Sequence, residues 1–420
     1  MKRVLTLAVF AWFSMSPLFA QPRVAGAFEV PRGWPADEMM PGLQLVGPGW
    51  RILPTVENDG IYNTWTVDSG GTSRRVTGND RLAVFLLELA AIQRLQEVSR
   101  GREFAEGLRD AGQAQLDAAL QVARNPVETV RRLPAGAGRF LGRVGQTVQN
   151  AAEGQLDIDR NATAAQTTRR LVGAERAKRV LAAELGVSPF TRNAELQQLL
   201  DDVSLVRSMG RVTVNVGSVF LITGVVSHVL TGINVSAFLT REQIEAEPRD
   251  LLAAMRLRAV QAGVPAGDID AFLGNRFYDP WTATAIINNL VRLQRVNPTV
   301  FVREAAQAAN DLDAFFFFRV SEMLTQLQGA GIGVREYVLT GRTVACVAED
   351  GSLIAPLWLD FAIWTANAQA AAEWFRALAN ERGARRAVVV TNGRFSPVAG
   401  ARLQVLGIET ITGFSSDSDR

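Results

Sequence analysis

Short runs of alternating apolar and polar residues open the ordered pattern of the chain. Trp50–Val56, Ile61–Val67 and Thr72–Thr77 are rich in β-branched and aromatic side chains. Asn58-Asp59-Gly60 and Asp68-Ser69-Gly70-Gly71 separate them with residues that tolerate hairpin backbone angles. The pattern predicts three antiparallel strands. Asn79-Asp80 then offers a helix cap, after which Leu82, Phe85, Leu86, Leu89 and Ile92 recur on one helical face. A second, more polar helix is expected over 102–122, so that 28–123 reads as a small α+β module.

The periodicity then lengthens to that of helices. Over 164–207 a first helix is expected to stop at Gly186, with a turn at Ser188-Pro189. Asn193 caps a second helix carrying Leu196, Leu199, Leu200 and Val203. Over 241–328 proline or aspartate starts recur at Pro248, Pro265, Asp279-Pro280, Pro298 and Asp311, which predicts a bundle of short-looped helices. The helix beginning at Asp311 carries Leu312, Phe316, Val320, Met323, Leu324 and Leu327 at helical spacing. Its run Phe315–Phe318 covers too wide an arc for a surface helix, so this helix is expected at the centre.

Residues 330–414 alternate differently again. Val334–Thr340, Arg342–Ala348 and Leu353–Leu359 read as a meander with turns at Gly341 and Glu349-Asp350-Gly351-Ser352. A helix follows, with Ala366, Ala370, Trp374, Phe375 and Leu378 expected inward and Gly383 beyond its end. Arg386–Thr391 is a continuous apolar strand of the type buried on both faces. Ser396-Pro397 starts a helix, Gly407 stops it, and Ile408–Ile411 is a last strand. The order is βββαβαβ. With the helix before it, this region (311–412) resembles the αβββαβ core of the PD-(D/E)xK nuclease-like superfamily. The resemblance implies an acid on the second strand and an acid-x-lysine on the third, to bind magnesium. Here the third strand, Ser352–Leu359, carries neither, so an active nuclease of that kind is not expected. The fold expectation is therefore an α+β multidomain chain, predominantly helical.

Two segments stand out by charge. Val212–Thr240 contains no Asp, Glu, Lys or Arg and lies between Arg211 and Arg241. It exceeds the ~20 residues a membrane helix needs. Thr223, Ser227 and Thr231, spaced by four, suit close helix packing. Asn215, His228, Asn234 and three glycines (Gly217, Gly224, Gly232) fit a buried core hairpin or helix pair equally well. Arg124–Arg143 is instead basic, with Phe140 and Leu141 interleaved, and reads either as a solvated connector or as a stretch lying on an anionic membrane. The divisions expected are therefore 124–210 as a basic connector with helices, 211–240 as the uncharged segment, 241–328 as the bundle, and 415–420 as a polar, disordered tail.

Composition narrows the chemistry. Met1-Lys2-Arg3, the apolar Val4–Phe13 and Ser14–Ala20 have the form of a secretory signal peptide cut after Ala20. No cysteine near that cut suits a lipid anchor. The 44 basic and 42 acidic residues become balanced once Lys2 and Arg3 leave, so nothing global points to nucleic acid. After such a cut Lys178 is the sole lysine, the arginine preference matching GC-rich coding. Cys346, alone in an apolar run, is expected to be buried and inert. His228, also alone, suits a hydrogen-bonded core position. With one histidine and one cysteine there is no zinc-type cluster, and no phosphate-binding P-loop or GxSxG elbow occurs. No metal, cofactor or catalytic residue is assigned. Asp201-Asp202 adjoin on a helix and point to different faces, so they form no acid/base pair.

The best candidate for a ligand is the loop Thr391-Asn392-Gly393-Arg394-Phe395-Ser396, at the carboxyl end of a strand and before a helix. Thr391, Asn392, Arg394 and Ser396 would serve a small anion there, unless the loop simply leads into the helix. The expectation for function is an exported, non-catalytic interaction or scaffolding protein in the periplasm or cell envelope of a Gram-negative bacterium. Its partner would be another envelope protein or the membrane surface. Two alternatives stand beside it: an enzyme with a carboxylate or arginine site near Asp360 or Arg394, and an envelope protein anchored through 212–240.

Overall fold

The computed structural model describes residues 28–101, 164–208, 233–293, 296–340 and 343–414. The expected signal peptide, the helix over 102–122, the basic stretch 124–143, most of 212–240 with His228, and the tail lie outside them. Helices and sheets both contribute, and the fold is mixed α/β. The described residues divide into two compact units, one holding 28–86, 233–240 and those from 248 onward, the other 87–101, 164–208 and 241–247.

In the first unit, the amino-terminal sheet contains β1 (Gly33–Pro35), β2 (Val46–Gly47), β3 (Trp50–Ile52), β4 (Thr55–Asn58), β5 (Asn63–Ser69) and β6 (Thr72–Thr77). The expectation of three strands is corrected to six: one run is split in two, and β1 and β2 are added. Pro54 has no N–H to give a neighbouring strand, so the run 50–58 is cut into β3 and β4. Both halves still pair with β5, and Leu53 N–H bridges the gap to the Thr66 carbonyl at 3.0 Å. β1 adds to β4 and β2 to β3. Gly70 and Gly71, with φ of 56° and 77°, close the tight hairpin between β5 and β6.

Helix α1 (Asn79–Ser99) follows and crosses the division, with Leu82 and Leu86 buried in the first unit. In the second unit its remainder joins α2 (Ala164–Glu184) and α3 (Ala194–Ser208) around Leu181, Leu185, Leu196, Leu200 and Val203. Gly186, at φ 71°, reverses the chain after α2. Basic side chains of α2 are held in pairs. Lys178 meets Asp201 at 2.5 Å and Gln197 at 2.7 Å, and Arg179 meets Glu247 at 2.7 Å. Lys178 is thus fixed between two side chains.

The helices of the first unit are α4 (Pro248–Gln261), α5 (Ala266–Leu273), α6 (Pro280–Arg292), α7 (Thr299–Ala305) and α8 (Asp311–Gly329). Side-chain caps explain where two of them begin. Asp279 accepts the N–H of Trp281 and Thr282 at 2.8 and 2.9 Å, and Asn310 accepts that of Asp313 at 2.9 Å. α8 is buried nearly all round: Phe316, Phe317 and Phe318 are all below 5% exposed. The described end of the uncharged segment belongs to this core. Asn234 caps a short 3₁₀ turn over Val235–Phe238, and Phe238 packs edge-on against Phe318 at 5.3 Å. Asn288 donates to the Phe238 carbonyl at 3.0 Å. Among the described residues no helix is long and apolar enough to cross a membrane.

The carboxyl-terminal sheet runs β13-β11-β9-β8-β7, where β7 is Val334–Leu339, β8 Val344–Ala348, β9 Leu353–Leu357, β11 Ala387–Thr391 and β13 Ile408–Ile411. β7, β8 and β9 form an antiparallel meander, and β9, β11 and β13 are parallel through the crossovers α9 (Ala366–Glu381) and α10 (Pro397–Val405). β11 is buried on both faces. Val388 and Val390 join the core around α8, while Ala387 and Val389 join that under α9 and α10. The expected inward stripe of α9 is rotated. Ala371, Ala372, Phe375 and Ala379 face the core, Trp374 and Leu378 are half-buried, and Ala366 and Ala370 are exposed. Alanines at 366, 368 and 370–372 carry too little contrast to place the stripe from spacing alone.

Phe318 is fully buried at the meeting of α6, α8 and the 3₁₀ turn. Phe318→Ala is expected to cost about 3–5 kcal/mol in urea unfolding, through lost burial and the cavity left behind.

Candidate functional site

Just beyond β9 the chain turns through Trp358-Leu359-Asp360, and Asp360 is 3% exposed. One oxygen of its carboxyl accepts the Asn63 N–H at 2.8 Å, and the other accepts the Asn79 N–H at 2.9 Å. The first donor opens β5 and the second opens α1. A carboxyl from the far end of the sequence thus serves the unsatisfied amino end of α1. Around it the amides interlock. Asn58 donates to the Phe361 carbonyl at 3.0 Å, and Asn63 and Trp65 both donate to the Asn79 side chain, at 3.1 and 3.0 Å. The Tyr62 hydroxyl donates to the Trp358 carbonyl at 3.1 Å.

A second cluster lies alongside. Trp358 Nε1 donates to Asp80 at 2.9 Å, and the Arg319 guanidinium from α8 sits 2.9 Å from the same carboxylate. Arg319 also pairs with Glu322, whose other oxygen accepts from Gln326 at 3.0 Å. One arginine therefore faces two buried acids. Burial pushes Glu322 up to about 7, against the pull of Arg319. Burial pushes Asp360 up to about 8, although both backbone donors favour the charged form. A buried acid shifted towards neutrality is a common sign of catalysis. Here both oxygens of Asp360 are held by backbone donors, so the carboxyl acts as an acceptor within the fold.

The loop expected to take an anion is partly buried, with Arg394 exposed. Thr391 is fully buried, and its hydroxyl accepts the Gly393 N–H at 3.1 Å. Asn392 accepts the Leu359 N–H at 3.1 Å. Arg394 lies 5.5 Å over the Phe361 ring and donates to the carbonyls of Glu38 and Met39. Ser396 caps α10 through the Ala399 N–H at 3.0 Å and donates to Glu29. Glu29 accepts the Trp364 N–H as well, at 2.7 Å. The four candidate residues share this loop; Arg394 and Ser396 bond to the segment 29–39, Asn392 to Leu359, and Thr391 within the loop itself. The short strand β12 (Arg394–Phe395) pairs in parallel with β10 (Phe361–Ala362) at this seam. Gly393 is required there: a Cβ would lie 2.3 Å from the Leu359 carbonyl oxygen and 2.4 Å from that of Asp360.

Other residues singled out in the sequence are accounted for in place. Cys346 is fully buried on β8, and burial pushes its thiol up to about 12, so it is not a nucleophile at neutral pH. Asp350 accepts the Ser352 N–H at 2.8 Å in the β8–β9 turn. Among the described residues no group of three His, Cys, Asp or Glu side chains is placed to hold a metal ion.

Sequence spacing gave no sign of one further feature. Between the carboxyl-terminal sheet and α9 and α10 lies a partly open cavity of about 90 Å³. Ala345, Ala355, Ala368, Ala371, Ala372 and Ala399 are among its walls, which contain no charged side chain.

No protein-family model, curated protein or solved structure matches this chain. The αβββαβ order of the nuclease-like resemblance is present from α8 to β13, but β9 reads Leu-Ile-Ala-Pro-Leu, without the acid and lysine of that chemistry.

Two outcomes test the seam. Gly393→Ala is expected to destabilise by about 1–3 kcal/mol in urea unfolding, because two carbonyls must move. The raised carboxyls also set a pH dependence. Native Asp360 and Glu322 hold protons that the unfolded chain has released, so stability falls as pH rises. Their contribution is full below about pH 4 and is lost as pH rises through about 7 and 8. The urea midpoint should therefore decline between about pH 4 and about pH 8, and Glu322→Gln should flatten that slope.

Proposed function

We propose that the chain is an exported, non-catalytic interaction or scaffolding protein of the periplasm or cell envelope of a Gram-negative bacterium. The observation that carries this reading is the commitment of the candidate chemistry to internal ties. Thr391, Asn392, Arg394, Ser396 and Asp360 each take part in a hydrogen bond within the fold. Side chains so engaged hold a body rigid rather than meet a substrate. The signal-peptide form of residues 1–20 and the balanced charge of the remainder support an exported protein that does not rely on electrostatic capture of nucleic acid. We further infer that the working layout follows the sequence divisions, with the α/β region 330–414 and the bundle 241–328 forming the body that a partner in the envelope engages.

Fractionation of the full chain, expressed with its own leader in a Gram-negative host, is the test. Expected are a mature amino terminus at Gln21 and release of the protein by osmotic shock or alkaline carbonate. Retention in the carbonate-washed pellet would overturn this reading in favour of anchoring through 212–240. Retention of residues 1–20 on the protein would overturn the export assignment itself.

A further inference from the structure

Lysine is nearly absent from this chain. Of its 44 lysines and arginines only Lys2 and Lys178 are lysine. The difference between the two residue types is chemical. A guanidinium stays protonated, whereas a lysine amine that has passed a proton to a neighbouring base attacks carbonyl carbons. Lys178 stands where that difference counts. Its side chain, on α2 in the second unit, is 11% exposed. Its Nζ lies 2.7 Å from Gln197 Oε1 and 2.5 Å from Asp201 Oδ1, both on α3.

The carboxamide is held in place for this contact. Gln197 Nε2 donates to the Pro189 carbonyl at 2.7 Å and to the Thr191 carbonyl at 2.9 Å. Both amide hydrogens are thereby used, and the carbonyl end is the one turned to Lys178. Of the two groups that Nζ touches, the neutral carboxamide is the better target, because an ionised carboxylate resists a nucleophile.

Two acids complete the set that attack on an amide requires. Asp201 accepts from Nζ and is the base that takes a proton from the ammonium. Glu175 lies one turn before Lys178 on α2, and burial pushes it above the usual carboxyl range, against the pull of Lys178. A carboxyl that keeps its proton is the acid a departing nitrogen needs. Nucleophile, carbonyl, base and acid thus come from two helices packed along each other.

We propose that Lys178 and Gln197 form an intramolecular isopeptide bond that ties α2 covalently to α3. The bond from Nζ to Cδ of Gln197 forms and the bond from Cδ to Nε2 breaks. Two of the three Nζ protons leave on Nε2, which departs as ammonium. Atoms and charge balance within the site, with no oxidant or co-reactant consumed. The product replaces a reversible contact with a link that survives unfolding.

The experiment is tryptic peptide mapping of the folded full chain by tandem mass spectrometry. Expected is a branched peptide in which 177–179, uncut at Lys178, is joined to 193–207 with the loss of one ammonia. Its fragment ions should place the bond on Gln197. Lys178→Arg keeps the positive charge and should abolish the joined peptide. Glu175→Gln should slow its accumulation in freshly refolded protein roughly a hundredfold. Absence of the joined peptide from the folded wild-type chain would overturn the proposal, whether or not the variants fold. So would equal formation in chain held unfolded in urea. A bond to Asp201 with loss of water would overturn the choice of Gln197, and an unchanged rate in folded Glu175→Gln would overturn the role given to Glu175.

Discussion

One carboxyl holds the first unit in register with itself. Asp360 is reached by the N–H of Asn63 and the N–H of Asn79, the first residues of a strand and of a helix that would otherwise end without partners. Each of those donors is buried or nearly so, and a buried backbone N–H without an acceptor is expensive. The carboxyl in turn is out of water, so it depends on the donors as much as they depend on it. Everything near the seam follows from this reciprocity. The Asn58, Asn63 and Asn79 side chains, the Trp65 indole and the Tyr62 hydroxyl are all disposed to complete the set around it. Close passage of Gly393 beneath the same turn is the steric counterpart of the polar arrangement.

The carboxyl-terminal sheet is the structural partner of that seam. Because β11 is buried on both faces, α8 must cover one side and α9 with α10 the other, and neither layer is dispensable. The two layers are packed differently. Around α8 phenylalanine fills the space, with Phe316, Phe317 and Phe318 all inside. Under α9 small alanines line part of a cavity.

Much of this architecture is legible in the residues. Turn residues and strand runs place β5, β6 and the βββαβαβ region, and the capping residues Asp279, Asn310 and Ser396 stand where helices begin. The breadth of the Phe315–Phe318 arc correctly makes α8 central. What spacing does not reveal has physical causes. Pro54 divides a strand that alternation alone presents as whole. The alanine run of α9 has too little contrast to fix which face is buried. The Asp360 ties are invisible because their ends lie 281 and 297 residues apart, far beyond any local pattern. The loop 391–396 is recognisable as a place where polar groups converge; that Arg394 and Ser396 bond to residues 29–39 is a tertiary fact.

That separation also orders the folding of the chain in time. The edge of β5 and the amino end of α1 are made early in synthesis, yet the group that satisfies them sits at position 360, close to the end. Closing so long a loop carries an entropic cost before any contact rewards it. The N–H groups of Asn63 and Asn79 therefore meet their folded-state acceptor only once residue 360 has been made.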